Sequence, residues 1–117
     1  MQLNLVFRAI LSLVILSASS VASARDLQSG TIEAVRPDNW DVGGFFIRVS
    51  GTLSGTQSCS SPDGGAYNYY FITKNNPLMK ELLSAALSAK LAGMTVTIVG
   101  SGGCEQGYED VKSIQIN

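Results

Sequence analysis

Asn76-Pro77-Leu78-Met79-Lys80-Glu81-Leu82-Leu83-Ser84-Ala85-Ala86-Leu87-Ser88-Ala89-Lys90-Leu91-Ala92-Gly93 is the stretch from which the rest of the chain is read. Its punctuation is that of one helix. Asn76 suits the N-cap, whose side-chain oxygen accepts an otherwise unpaired N–H of the first turn, and Pro77 suits the first helical position, where a missing N–H costs nothing. Gly93 is the expected C-terminal stop. Leu78, Leu82, Ala85, Ala86, Ala89 and Ala92 recur at spacings of three and four. That period predicts a buried stripe, broadened by Leu83, Leu87 and Leu91. Lys80, Glu81, Ser84, Ser88 and Lys90 are left for the outer face.

Outward from this helix the period changes from helical to alternating. Downstream, Met94 to Val99 alternates as a strand and ends at Gly100-Ser101-Gly102-Gly103, a polar loop runs from Cys104 to Asp110, and Val111 to Ile116 forms the last strand. Upstream, Tyr67 to Thr73 is aromatic and β-branched, with Tyr67, Tyr69 and Phe71 on one side and Tyr70 and Ile72 on the other. Ser50 to Ala66 shows no regular element, and Cys59 within it can pin so long a loop. Phe45 to Val49 puts Phe45, Ile47 and Val49 on one face and Phe46 and Arg48 on the other; Arg36 to Gly44 is a turn-rich tip, and Gln28 to Val35 is the first strand. The order is strand, strand, strand, helix, strand, strand. It predicts a mainly β domain with one helix, a five-stranded antiparallel OB-fold barrel. A different five-stranded sheet with one helix packed on it is the alternative.

The first 24 residues have the order of an export signal. Arg8 stands ahead of the apolar run Ala9 to Leu16, and Ala22-Ser23-Ala24 fits the small-x-small cleavage rule. Cleavage is expected after Ala24, with an uncleaved membrane anchor as the alternative, and the protein is expected to be secreted or periplasmic. Arg25 to Asn117 then forms a single domain of 93 residues, without a membrane span, in which seven basic residues face nine acidic ones. Cys59 and Cys104 are the only cysteines. Export puts them where disulfides persist, and one bridge between them closes a loop worth roughly 4 kcal/mol in the chain-entropy model. Two free thiols or intermolecular links are the competing readings.

The composition also excludes chemistry. The chain has 117 residues, no histidine and a formal net charge of −1. Triads built on an imidazole base, and zinc sites that need histidine or four cysteines, have no members here. A near-neutral chain lacks the positive field that binds phosphates, so nucleic acid is not an expected partner. Glu105, Glu109 and Asp110 lie close in sequence as glycosidase carboxylates can, with a solvated acidic loop as the plainer reading. Asp38, Asn39 and Asp41 lack the loop glycine and terminal glutamate of an EF-hand. No enzymatic activity, metal or cofactor is expected.

In order and spacing the chain resembles the receptor-binding B subunits of the pertussis-like and subtilase-cytotoxin-like toxins and their small exported relatives. The resemblance is carried by Ser29-Gly30, Ile47-Arg48-Val49-Ser50-Gly51, Cys59 in its serine-rich loop, Leu82-Leu83-Ser84-Ala85-Ala86-Leu87, Gly93-x-x-Val96-x-Ile98, and Cys104 with the closing strand. Gly100 stands where the family often has an aromatic residue. The resemblance implies an OB-fold, a homo-oligomeric ring of five with the helix lining its pore, cell-surface or environmental glycans as ligands, and a catalytic toxin subunit as a partner. It assigns Ser29 to the glycan, where a strand-edge serine bonded to neighbouring backbone is the alternative. Trp40, in a polar turn between Asn39 and Asp41, offers a broad face for a sugar, or equally a lid over the barrel end or an interface residue. The alternative function, of a different class, is a structural or inhibitory domain that docks on a protein partner and has no sugar site.

Overall fold

The computed structural model describes residues 24–55, 59 and 68–117. The expected leader up to Ser23, and Tyr67, lie outside the described residues. Among the described residues six strands and one helix follow in the order β1 (Asp26–Asp38), β2 (Gly44–Ser50), β3 (Leu53–Ser54), β4 (Tyr69–Thr73), α1 (Met79–Ala92), β5 (Thr95–Glu105) and β6 (Tyr108–Ile116). The protein is mainly β with one helix, and five of the strands close into a ring.

Around the ring the order is β2, β4, β6, β5, β1, and β1 pairs with β2 again. The pairs are antiparallel except β4 with β6, which meet in parallel at Tyr70 and Glu109. The expectation of an all-antiparallel sheet is corrected there. Parallel neighbours need a crossover connection, and α1 followed by β5 supplies it. The predicted parity holds for β2, β4 and β5, whereas in β6 a register shift brings Ile114 as well as Val111 against the core, although strict alternation put them on opposite faces. Phe45, Ile47 and Val49 of β2 join Tyr70 and Ile72 of β4, Val96 and Ile98 of β5 and Val111 of β6 in one core inside the ring.

Two segments read as loops are partly strand. β3 falls within the stretch assigned no regular element, and its two residues pair with Asp26 and Leu27 at the start of β1. The predicted loop from Cys104 to Asp110 is instead a tight hairpin, because Gln106 and Gly107 both adopt positive φ, 54° and 86°, as a two-residue turn of right-handed twist requires. Cys104 therefore lies in β5. It forms the predicted disulfide with Cys59, with Cα atoms 5.6 Å apart.

The helix is narrower on its buried side than its period suggested. Leu82, Ala86 and Ala89 are buried, whereas Leu78, Leu87 and Leu91 are exposed, Leu91 by 85%. Two of the three buried residues are alanines, whose small side chains let α1 sit close to the ring and touch it along a thin line. Regular helix begins at Met79 after a turn at Pro77 and Leu78. The N-cap is therefore Leu78, with no side-chain cap bond, and not Asn76 as expected; Asn76 fixes the turn ahead of the helix instead. Its Oδ1 accepts the Leu78 N–H at 2.9 Å, while its Nδ2 donates to the Val111 carbonyl at 2.8 Å and to Asp110 at 3.1 Å. At the other end Gly93 is left-handed; its N–H donates to the Lys90 carbonyl and the Met94 N–H to the Ala89 carbonyl, a Schellman stop.

Candidate functional site

The outer face of the ring carries the arrangement best suited to recognition. Alternation sends Phe46 of β2 and Phe71 of β4 outward, directly paired across the two strands, and their rings stack at 4.1 Å between centroids. Both are nonetheless buried, Phe46 at 4% exposure and Phe71 at 0%. Side chains from one turn and two strands roof them. Trp40, from the tip joining β1 to β2, lies nearly parallel to both rings, at 6.3 Å from Phe46 and 5.9 Å from Phe71. Tyr108, from the β5–β6 hairpin, sets its edge on Phe46 at 5.0 Å, and the Arg36 guanidinium lies 4.5 Å from the Phe46 ring centre.

The two turns are tied to each other and internally fixed. Gln106 Nε2 donates to Asp41 Oδ2, bridging the hairpin tip to the tip that carries Trp40. Within that tip the Trp40 N–H donates to Asp38 Oδ1 at 2.8 Å and the Gly43 N–H to the Trp40 carbonyl at 3.0 Å. The indole is thus held in place while 46% of the residue stays in solvent. Around it lie Arg36, Asp38, Asp41 and Gln106, and beyond Tyr69 the pair of Arg48 and Glu33 at 3.0 Å. An exposed indole with carboxylates, an amide and a guanidinium at its rim can stack on the apolar face of a ring-shaped ligand and exchange hydrogen bonds with its hydroxyls.

Ser29 is not part of this surface. It lies near the opposite end of β1 from the tip that carries Trp40, in the half of the strand that pairs with β5. There the pairing of β1 with β5 shifts register between Leu27 and Gly30, and Ser29 is exposed within that irregularity. Of the residues gathered around Trp40, Phe46 and Phe71 were separated by parity from Phe45 and Tyr70 in their strands, but which side faces outward was settled only by ring closure. Tyr108 was not legible, since only the tight hairpin aims it at Phe46.

A second polar cluster is buried at the start of β1. Glu109 is 1% exposed and Arg25 4%. The backbone N–H of Arg25 points at the Glu109 carboxylate, with Oε1 at 3.2 Å and Oε2 at 3.0 Å. The Arg25 guanidinium donates to the Tyr69 carbonyl at 2.8 Å, and the Tyr70 hydroxyl donates to the Arg25 carbonyl at 2.9 Å. Burial pushes the Glu109 carboxyl above the usual carboxylate range, against the pull of the Arg25 N–H, the Arg25 charge and the Gly102 N–H. Gly100 explains itself here, because a Cβ at that position would meet Glu109 Oε2 at 1.6 Å and the Arg25 carbonyl at 2.4 Å.

Among the described residues no group of three or more histidine, cysteine, aspartate or glutamate side chains is placed to hold a metal ion, and no helix is long and apolar enough to cross a membrane. Comparison with family models, with curated proteins and with solved structures finds no match to this chain.

Proposed function

We propose that this chain is an exported, non-enzymatic recognition module that binds a glycan across the Trp40 surface. The observation that carries the reading is an indole nearly half exposed, fixed over a stacked phenylalanine pair and rimmed by Arg36, Asp38, Asp41 and Gln106. The proposal includes the finer fold. A ring ordered β1, β2, β4, β6, β5 with one parallel contact, and a helix between β4 and β5, supports an OB-fold barrel. The leader pattern and the Cys59–Cys104 bridge support export to an oxidising compartment.

The resemblance to toxin B subunits extends the proposal to a homo-oligomeric ring of five, with a catalytic subunit as partner. The outer stripe of α1 supports assembly, since Leu87 and Leu91, four residues apart, share an uncovered face of the helix. In this reading Ser29 serves a separate, smaller contact. The same leucines favour the second reading, docking on a protein partner without a sugar site.

A glycan array probed with the mature chain and with Trp40→Ala tests the first reading. Hits that disappear in the variant support it. An array without hits, from protein that is monomeric by light scattering at high concentration, overturns it in favour of the second.

A further inference from the structure

We propose that Glu109 is the receptor for the α-ammonium group created by cleavage between Ala24 and Arg25, so that removal of the leader completes a buried ion pair where the chain enters β1. The proposal rests on the export reading. Two independent observations coincide at one bond. The Ala22-Ser23-Ala24 pattern marks the cut from the sequence alone, and the nitrogen that the cut would free is the one facing both oxygens of a buried carboxylate, at 3.2 and 3.0 Å.

The chemistry is hydrolysis by an export-linked endopeptidase. The C–N bond between Ala24 and Arg25 breaks, water supplies the oxygen of the new Ala24 carboxylate, and the released Arg25 amine takes a proton. An amide offers Glu109 one hydrogen to share between two oxygens, whereas an ammonium offers three and a full charge. A buried carboxylate with incomplete compensation is costly, and a buried carboxylate paired in good geometry is not.

The surroundings hold the Arg25 nitrogen where it is when residue 24 departs. The Tyr70 hydroxyl grips the Arg25 carbonyl, the Arg25 guanidinium grips the Tyr69 carbonyl and lies 5.1 Å from the Tyr70 ring centre, and Gly100 leaves the space that the carboxylate fills. The titratable groups facing Glu109 are Arg25 and Asp26 at the entry to β1 and Tyr70 on β4. Of these Asp26 repels the carboxylate, but its Oδ1 is engaged by the Gly100 N–H at 3.0 Å.

The sign of the pH dependence follows. Pairing raises the folded-state pKa of the α-ammonium above its ordinary value of about 7.7–8.0, so this stabilisation is full below that value and lost as pH rises through the folded one. It lowers that of Glu109, so the same stabilisation fades as pH falls through the acid range. The processed chain therefore gains most over an extended one between about pH 5 and pH 8.

The test uses protein exported with its own leader and identified by intact mass, beside a form with Gly-Ser inserted between Ala24 and Arg25, each with and without Glu109→Gln. Denaturant titrations at pH 7 give the folding equilibrium constants. The insertion is expected to lower the constant at least tenfold in the Glu109 background and less than twofold in E109Q. Equal losses in the two backgrounds overturn the proposal. If E109Q does not fold, NMR titration of the α-amine in the native chain decides: a pKa at least one unit above that of the unfolded chain supports docking, and an equal value overturns it. A mature chain that begins at a residue other than Arg25 overturns the expected cut, whereas a chain that begins at Arg25 with an ordinary amine overturns only the docking.

Discussion

Trp40 keeps 46% of its surface in solvent while it covers two phenylalanines. Trp40→Ala removes that cover as well as the ligand platform. It is expected to cost roughly 1–2 kcal/mol of stability from lost apolar burial and ring contacts, and to weaken glycan binding at least tenfold. Denaturant melts and binding isotherms on the same samples separate the two effects; unchanged affinity would remove Trp40 from the site. At Gly100 the constraint is space. Gly100→Ala drives a methyl group into Glu109 and the Arg25 carbonyl, and a loss of about 3 kcal/mol or more is expected from the forced shift of a buried carboxylate. A variant as stable as the parent would show that the β1 entry and β6 are free to part. The sequence singled out Trp40 by its isolation among polar turn residues, but nothing in Gly100 or Glu109 revealed that they touch. Glu109 was grouped with Glu105 and Asp110 as a member of an acidic loop. The two-residue turn at Gln106 and Gly107 takes it out of that loop and into the ring.

At the scale of elements, Asn76 joins α1 to the sheet. Asn76→Ala loses the bond to the Leu78 N–H and both bonds to β6, so a cost of about 2 kcal/mol is expected from three lost hydrogen bonds. Thermal melts of the variant measure it, and a shift too small to detect would show that Pro77 alone starts the helix. The exposed leucines behave differently. Leu91→Glu is expected to leave monomer stability within about 0.5 kcal/mol, as for surface positions in general, and to abolish assembly if the outer stripe of α1 is where copies meet. Light scattering distinguishes these outcomes. The helix's end was legible from Gly93, because a left-handed stop is local chemistry, whereas its N-cap is Leu78, two residues after the expected Asn76. Which of its apolar residues would be buried was not legible. That depends on how wide a strip of the ring the helix meets, and the alanines on its inner line make the strip narrow.

For the molecule as a whole the Cys59–Cys104 bridge acts on the unfolded chain. It joins residues with a sequence separation of 45, and reducing it is expected to cost roughly 4 kcal/mol by the entropy released to the open chain. Guanidinium titrations with and without reductant measure this, and coincident curves would contradict it. The pH profile reports on Glu109. With Arg25 in an amide linkage, burial holds its folded pKa above the unfolded one, so stability falls as pH rises from about 4.3 through the folded value. In the form with Gly-Ser ahead of Arg25, Glu109→Gln is expected to flatten that slope, and a slope that survives would trace to another carboxylate.

What the sequence determined by itself is local: one helix with its glycine stop, the alternation that puts Phe45, Ile47 and Val49 on one face of β2 and Phe46 on the other, and two cysteines able to pair. These follow from short-range sterics and periodicity, which act over a few residues. Only the tertiary structure decided that β6 meets β4 in parallel, that Tyr108 and Trp40 converge over Phe46, that Ser29 stands apart from them, and that the Arg25 backbone nitrogen faces Glu109. Each of those contacts joins residues far apart in the chain. Ring closure sets their register, and no local pattern encodes it.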